Sequence, residues 1–155
     1  MDESARRETY EEIATQLAGV LDGCQDAVAA MSSAAALLKE RFAGYFWVGF
    51  YLPDADGNLR VGPYQGPIAC LKLPAGRGVC GAAFASGKTQ IVDDVHAIED
   101  HIACDARSRS EIVVPLARDN KVVAVLDVDS EEVGAFSGVD REGLQRIAGM
   151  LAPLL

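Results

Sequence analysis

The 155-residue sequence has no long hydrophobic run and few basic residues. No apolar run approaches the roughly 20 residues that a bilayer-spanning helix needs, so no membrane span is predicted. Lys and Arg number 14 against 23 Asp and Glu, which gives a net charge of −9. Nucleic acids and anionic membrane surfaces are bound by clustered basic side chains. We therefore expect neither nucleic acid nor membrane as a partner.

The sequence also lacks a signal-peptide pattern and paired cysteines. It starts with MDESARRETYEEIA, a charged amphipathic segment without the apolar centre of a secretory signal, so we expect a cytoplasmic protein. Its four cysteines are Cys24, Cys70, Cys80 and Cys104, and no C-x-x-C pair is present. Static disulfides are rare in a reducing compartment. The thiols are therefore predicted to be core residues, metal ligands or redox groups.

The hydrophobic pattern predicts helices at both ends of the chain and strands between them. Apolar residues recur at helical spacing in Arg6–Leu21, Asp26–Phe42 and after Ser137. Ser137 can cap the last helix, with Asp140 three residues on. Strands are predicted in Tyr45–Leu52, LRVGPYQG, Pro67–Leu73, TQIVDDV and the hairpin EIVVPLARDNKVVAVLDVDS, which turns at Asp119 and Asn120. We expect residues 1–155 to form a single α+β domain, with a mostly antiparallel sheet and the terminal helices packed on it.

A glycine-rich segment matches the dinucleotide-binding pattern G-x-G-x-x-G. It is GRGVCG, from Gly76 to Gly81, and it follows a predicted strand. The helix after it, Ala82–Ser86, has fewer than two turns before Gly87, whereas a parallel crossover needs a dozen or more residues. We therefore favour glycines that allow tight turns and close packing over a nucleotide site.

Two carboxylates end the otherwise apolar strand VVAVLDVDS. Side chains alternate along a strand, so Asp127 and Asp129 should share a face with Val123 and Val125. Their Cα atoms would lie roughly 6.5 to 7 Å apart, by two residues of strand rise. Such a pair suits a metal, an arginine or a ligand ammonium. The alternative is a strand end in solvent, with two hydrated aspartates.

The strand WVGFYL places Trp47, Gly49 and Tyr51 on one face. Two large rings that flank a glycine should leave a gap between them. Such a gap suits a small apolar or polarisable group, such as a methylthio or sulfoxide group. The alternative is that both rings belong to an ordinary hydrophobic core.

Cys104 lies in a stretch predicted to be irregular from His96 to Ser110. A loop of this length in a compact domain is often a lid or another functional segment. His101, Arg107 and Arg109 are near it in sequence, and positive neighbours lower the pKa of a thiol and increase its thiolate fraction. We therefore expect a reactive thiol at this position.

Two arrangements of the cysteines stay open on spacing alone. One is a zinc site formed by Cys70, Cys80, His101 and Cys104. The absence of a C-x-x-C pair argues against it, because that pair is the usual mark of structural zinc, and we expect no metal. The other is a nucleophilic thiol with a partner that captures its sulfenic acid as a disulfide. Cys24, in a segment predicted to be helical, should be a small buried core residue.

Taken together, these segments resemble the free methionine-(R)-sulfoxide reductases, a family built on the GAF fold. The resemblance runs from about Tyr45 to Phe136 and rests on GxGVCGxA, GKTQIVDDVH, DHIACD, SEIVVPL and VLDVDS. The motif HIACDxxxxSEIVVP, with Cys70 and Cys80, is its most specific part. The resemblance implies a GAF-like domain that reduces free L-methionine (R)-S-oxide, without a cofactor.

The resemblance also implies roles for three cysteines. Cys104 would attack the sulfoxide sulfur and release methionine, which leaves a sulfenic acid. Cys70 would resolve that acid as a disulfide, and thioredoxin would reduce the disulfide. Cys80 would be a second resolving thiol or a spare one.

The carboxylates and rings receive roles in the same way. Glu111, Asp127 and Asp129 would hold the substrate ammonium or supply the proton that the departing oxygen needs. A carboxyl among carboxylates has a raised pKa, and Glu111 is our first choice for the acid. Trp47 and Tyr51 would enclose the methylthio end of the substrate.

Two other classes of function remain open on the sequence. A non-enzymatic GAF module would bind a small ligand or sense redox state, with Cys104 as the sensor. A zinc-stabilised interaction domain would contain bound metal and would lose its fold in a chelator. The spacing does not determine the oligomeric state, and a homodimer is compatible with it.

Overall fold

The computed structural model of the chain describes residues 1–102 and 104–155. Its helices are α1 (Glu3–Val20), α2 (Ala27–Arg41), α3 (Gly78–Ser86) and α4 (Gly138–Leu151), with 3₁₀ turns at Val95–Ala97 and Ala152–Leu154. Its strands are β1 (Trp47–Pro53), β2 (Leu59–Gln65), β3 (Lys72–Leu73), β4 (Gln90–Val92), β5 (Ser110–Arg118) and β6 (Lys121–Ser130). This composition confirms the predicted α+β class. In the described ranges, no helix combines the length and apolar character that a membrane span requires.

The six strands form one sheet in the order β3-β2-β1-β6-β5-β4, and every neighbouring pair is antiparallel. The β5–β6 hairpin turns at Asp119 and Asn120, whose φ angles of 52° and 60° fit a type I′ turn. The predicted turn is therefore confirmed. Because β6 lies between β5 and β1, the aspartates of β6 are placed in the middle of the sheet.

The two faces of the sheet have separate hydrophobic cores. Helices α1, α2 and α4 pack on one face, against strand residues such as Phe50, Ile112 and Leu126. The opposite face forms a smaller cluster with α3, in which Val113 and Val125 take part. We call these the helix-side core and the pocket-side core. The terminal helices therefore pack on the sheet as predicted, and they leave one face free for a site.

Local capping fixes the ends of the long helices. Asp2 and Asp26 accept hydrogen bonds from the backbone N–H groups of Ala5 and Ala29, at the starts of α1 and α2. Ser137 begins α4 and forms the predicted capping box with Asp140.

A buried network ties α1 to α4. The Asp140 carboxylate accepts from the hydroxyls of Tyr10 and Tyr45, both at 2.9 Å, and pairs with Arg6 at 2.6 Å. Tyr45 lies just before β1, so one carboxylate connects the first helix, the start of the sheet and the last helix.

Two predicted element boundaries are wrong. The strand expected over Pro67–Leu73 is reduced to the two residues of β3, and residues 67–71 form a loop. The helix expected to begin at Ala82 begins at Gly78 and has nine residues. Its start has no side-chain cap from Arg77; instead the distant Asp100 accepts from the Gly78 N–H at 3.2 Å.

Helix α3 is not a crossover between parallel strands. It follows β3 and precedes β4, which lie at opposite edges of an antiparallel sheet. The sheet therefore lacks the parallel βαβ context of the dinucleotide pattern. Gly81 packs closely, because a Cβ there would come within 2.8 Å of the Gly76 backbone.

Two smaller expectations also change. The β5–β6 pairing shifts between Leu116 and Ala117, so Val123 is left in a bulge and packs on the helix-side core, away from Asp127. Cys24 lies in the linker between α1 and α2 and is half-buried.

The predicted irregular stretch His96–Ser110 includes residue 103, which lies outside the described residues. The beginning of this stretch lies in the 3₁₀ turn Val95–Ala97.

Candidate functional site

Strand register brings the three predicted carboxyls together. Glu111 on β5 lies directly opposite Asp129 on β6, and Asp129 lies opposite Trp47 on β1. Asp127 lies two residues before Asp129 on the same face and opposite Gly49. Opposed residues have Cβ atoms only about 4.5 to 5.5 Å apart. Three acidic side chains are thus crowded on the pocket-side face.

These carboxyls line a pocket that holds almost all of the predicted site. The pocket is small, with a cavity volume of about 50 Å³, and it opens to solvent. Seven of the eight predicted residues line it: Trp47, Tyr51, Cys80, Cys104, Glu111, Asp127 and Asp129. The eighth, Cys70, joins the site through a disulfide bond to Cys104.

Two of the carboxyls are buried and Asp129 is half-buried, and this changes their protonation. Glu111 and Asp127 are only 5% and 6% exposed. Burial raises the pKa of all three carboxyls, and the charge of a neighbouring carboxylate raises each further. The site therefore retains protons that free aspartate or glutamate would lose. The alternative of two hydrated aspartates is wrong for Asp127.

Asp127 has a further unusual feature. Its Oδ1 atom is buried and has no hydrogen-bond partner in the described part of the chain. A buried polar oxygen without a partner is costly. A ligand that brings a donor or a positive charge would satisfy it.

His101 is a pocket residue that sequence reasoning did not place beside a carboxyl. Its Nε2 atom lies 3.5 Å from a Glu111 oxygen, and its side chain is 12% exposed. Burial lowers the pKa of His101 and raises that of Glu111. Burial thus favours the uncharged form of both groups in this contact. The sequence contains no indication of this contact, because the two residues are ten positions apart and His101 is in a loop whereas Glu111 is in a strand.

The aromatic wall differs from the prediction in one respect. Trp47 and Tyr51 stack with ring centroids 5.8 Å apart, and Tyr64 stacks on the other side of Trp47 at 5.2 Å. The gap expected over Gly49 is filled, because a Cβ there would collide with the Trp47 ring and with Cβ of Tyr64. The Trp47 N–H donates to the Pro67 carbonyl at 3.2 Å, which fixes the ring. The rings therefore form a wall, not a slot.

The Cys70–Cys104 disulfide joins two loops. Its Cα atoms are 5.4 Å apart and its residues are 34 apart in sequence. It links the β2–β3 loop to the β4–β5 loop beside the pocket. Because the two sulfurs are bonded to each other, the zinc site that uses both Cys70 and Cys104 is wrong for this state.

The arginines near Cys104 have acidic partners of their own. Arg107 pairs with Asp105 at 2.8 Å and lies over the Phe46 ring. Arg109 lies 3.5 Å from Asp94. Both positive charges are therefore shared with aspartates, which weakens the effect on the Cys104 thiol that their positions in sequence suggested.

Cys80 is the third cysteine of the pocket and is not bonded to another residue. It is 3% exposed on α3, and its sulfur lies 4.0 Å from a Glu111 oxygen. Burial and the nearby carboxylates raise its pKa well above the usual range for a thiol. The environment therefore favours a neutral thiol, which is a poor nucleophile.

Two supporting contacts were not predicted. Asp100 accepts from Arg77 at 2.6 Å as well as from Gly78, and so ties the Cys104 loop to the start of α3. Ser108, buried in the pocket, forms a hydrogen bond that partly offsets the raised pKa of Asp129. Neither pairing has a local sequence signal, because the partners are 21 to 23 residues apart.

Comparison with known proteins identifies the family. The family model described as GAF domain matches residues 14–155. Free methionine-R-sulfoxide reductase of Escherichia coli is 41% identical over 150 residues, which cover 97% of this chain and 90% of that protein. The enzyme of the same name from Saccharomyces cerevisiae is 37% identical over 153 residues, which cover 94% of this chain and 85% of that protein.

A solved structure agrees with these sequences. The free methionine-R-sulfoxide reductase from Neisseria meningitidis, in complex with its substrate, has a TM-score of 0.89 and 48% identity, covering 94% of this chain and 87% of that one. The family model begins inside α1, so the single domain over residues 1–155 stays a prediction. Sequence, fold and relatives agree, and the chain belongs to the GAF-domain family of free methionine-R-sulfoxide reductases.

Proposed function

We propose that this protein reduces free L-methionine (R)-S-oxide to L-methionine. The observation that carries the proposal is the Cys70–Cys104 disulfide beside a pocket with three crowded carboxyls, of which Glu111 and Asp127 are buried. A thiol pair supplies the two electrons of the reduction, and acidic groups supply protons. The names of the Escherichia coli and Neisseria relatives, and the substrate in the Neisseria structure, support the same reaction.

In the proposed reaction, the cycle begins with both thiols reduced. The Cys104 thiolate bonds to the sulfoxide sulfur, and the sulfoxide oxygen takes up a proton. The resulting hydroxyl then transfers to the Cys104 sulfur while the new S–S bond and the S–O bond of the substrate break, which releases methionine and leaves Cys104 as a sulfenic acid. The Cys70 thiol then attacks the Cys104 sulfur, which forms the disulfide and releases water. Sulfoxide and two thiols thus give methionine, one disulfide and one water.

The three carboxyls are assigned proton donation and binding of the substrate ammonium. The sulfoxide oxygen needs a proton in order to leave, and Glu111 is our choice for the donor because its pKa is raised and it lies beside His101. Asp127 and Asp129 would hold the substrate ammonium. A free amino acid carries this charge and a peptide nitrogen does not, which favours free methionine sulfoxide over protein-bound residues. Trp47 and Tyr51 would contact the methylthio end.

The disulfide must be reduced before the next cycle. We propose thioredoxin as the reductant, and thiol-disulfide recycling of this kind belongs to a reducing compartment such as the cytoplasm. The Cys70→Ser variant should reduce about one substrate per site and then fail to turn over with thioredoxin.

Cys80 is assigned the spare role, since burial and the nearby carboxylates favour its neutral thiol. A homodimer remains an expectation, which sedimentation would test.

The deciding experiment measures consumption of each epimer of free methionine sulfoxide with thioredoxin, its reductase and NADPH. N-acetylmethionine sulfoxide tests the requirement for a free amine. We expect turnover of the free R epimer alone and none in Cys104→Ser, while Cys24→Ser, in the α1–α2 linker, should match the wild type. Absence of turnover in folded, reduced protein would refute the proposal and support a redox-sensing GAF module instead.

A further inference from the structure

Three potential metal ligands converge in the pocket without an assigned common purpose. The Cys80 sulfur and one carboxylate oxygen each from Glu111 and Asp127 all lie within 4.8 Å of one another. They come from α3, β5 and β6, so three separate elements hold them in place. Ligand atoms of a tetrahedral zinc lie about 3.3 to 3.8 Å apart, given bonds of about 2.0 to 2.3 Å. Small side-chain movements would therefore close this set around an ion.

The unpartnered oxygen of Asp127 is a second and independent sign of a missing ligand. The Asp127 side chain is more than nine-tenths buried, and its Oδ1 has no hydrogen-bond partner among the described residues. The residue also lines the pocket with the other two donors. A cation that enters through the pocket mouth would meet all three.

We infer that the protein binds one zinc ion through Cys80, Glu111 and Asp127, with water in the fourth position. The donor set decides the metal class. One thiolate and two carboxylates suit zinc, whereas magnesium and calcium favour six or more oxygens. Three protein ligands with water in the fourth position is the arrangement of zinc sites that keep a position open, whereas structural zinc has four protein ligands.

Zinc at this position would regulate the enzyme. It would occupy the carboxyls that the proposed function gives to the substrate, so zinc and methionine sulfoxide should compete; this part of the inference rests on the proposed function. The binding of zinc itself does not rest on the proposed function. Cys80 is outside the disulfide, so the site exists in both the oxidised and the reduced protein.

The test uses oxidised full-length protein and cobalt(II) as a spectroscopic substitute for zinc. In this form the free thiols are Cys24 and Cys80. We expect one equivalent of cobalt to give a thiolate-to-cobalt charge-transfer band, and zinc to remove it. Cys80→Ser should abolish the band, and Cys24→Ser should keep it. Asp127→Asn should weaken binding by about tenfold or more.

The outcomes separate the site from the reaction. No band in the wild type, a band that persists in Cys80→Ser, or a band lost in Cys24→Ser would overturn the zinc site. Circular dichroism shows whether Cys80→Ser is folded, and Asp127→Asn tests the same site if it is not. In single turnovers of reduced protein without added thiol, zinc inhibition should weaken as substrate rises. Inhibition that is independent of substrate would overturn competition, and an inactive protein that shows the band would contradict only the proposed function.

Discussion

At the scale of single residues, the pocket carboxyls oppose folding. Burial raises the pKa of Asp127, so the folded protein binds a proton that the unfolded chain releases above its own pKa of about 3.9. The stability from such a raised carboxyl is present at low pH and is lost as pH rises toward the folded-state pKa. Sites of function often retain groups that weaken the fold.

We therefore predict that Asp127→Asn stabilises the protein, and more so at higher pH. The difference in free energy of unfolding between variant and wild type should grow as pH rises above about 4, by at most about 1.4 kcal/mol per pH unit. Urea unfolding of the oxidised proteins at several pH values measures it. Aspartates with a lowered pKa, such as Asp105, make the protein more stable as pH rises. They are present in both the wild type and the variant, so their contribution cancels in the difference. A difference that shrinks as pH rises would contradict the prediction.

A second prediction separates the acid from the ammonium anchor. Glu111→Gln keeps the size of the side chain but removes the transferable proton, so kcat should fall about 10²- to 10⁴-fold with a smaller change in KM. Asp129→Asn should mainly raise KM. Steady-state kinetics with free methionine sulfoxide measure both. If Asp129→Asn lowered kcat more than Glu111→Gln, the two roles would have to be exchanged.

At the scale of elements, β1 positions the aromatic wall because one of its residues has no side chain. The Trp47 ring lies over Gly49, between Tyr51 and Tyr64. We predict that Gly49→Ala displaces the ring, costs about 1 to 3 kcal/mol of stability and raises KM. Gly149→Ala is the matched control. Gly149 is an exposed position of α4, with no atom of the described residues near its Cβ position, and Gly149→Ala should stabilise by up to about 1 kcal/mol. Equal effects of the two substitutions would refute the argument.

Local signals account for the elements that the sequence predicted. The Asp119–Asn120 turn and the Ser137–Asp140 capping box involve residues at most three apart, so their patterns are visible in the chain. The start of α3 depends on Asp100, 22 residues beyond Gly78, and the bulge at Val123 depends on pairing with β5. Such tertiary contacts override local preference, and the spacing does not reveal them.

The candidate site shows the same division. Alternation along β6 was sufficient to place Asp127 and Asp129 on one face, and the same rule paired Trp47 with Tyr51. It could not show that Glu111 lies opposite Asp129, because the bulge at Val123 shifts the register of the β5–β6 hairpin by one residue. The pairing of Cys70 with Cys104 was expected from family resemblance alone, since a 34-residue separation has no local pattern.

At the scale of the whole molecule, the disulfide couples redox state to stability. Closing a loop of this length removes chain entropy from the unfolded state worth about 4 kcal/mol. We predict that the oxidised protein unfolds at a higher urea concentration than the reduced protein. Cys70→Ser should unfold like the reduced protein whether or not an oxidant is present. A wild type with equal midpoints in the two states would contradict this expectation.

The Asp140 network gives a second prediction at this scale. Removing one member of a buried ionic group leaves the others unpaired, so Asp140→Ala should cost about 3 to 5 kcal/mol. Glu142→Ala, which removes the partner of Arg7 in an exposed ion pair two residues away, should change little. Urea unfolding of both variants tests the contrast. A small effect of Asp140→Ala would mean that α1 docks without this network.

The two cores on opposite faces of the sheet have a consequence for sequence change. Substitutions on distant, non-contacting surfaces usually add in their effects on stability. Helix residues of the helix-side core, such as Ile13 and Leu144, lie across the sheet from the pocket-side carboxyls. Tighter packing around them can therefore offset the destabilising pocket without altering its chemistry. The architecture thus allows the residues of the binding face to change during evolution, because packing on the opposite face can supply the folding free energy that such changes cost.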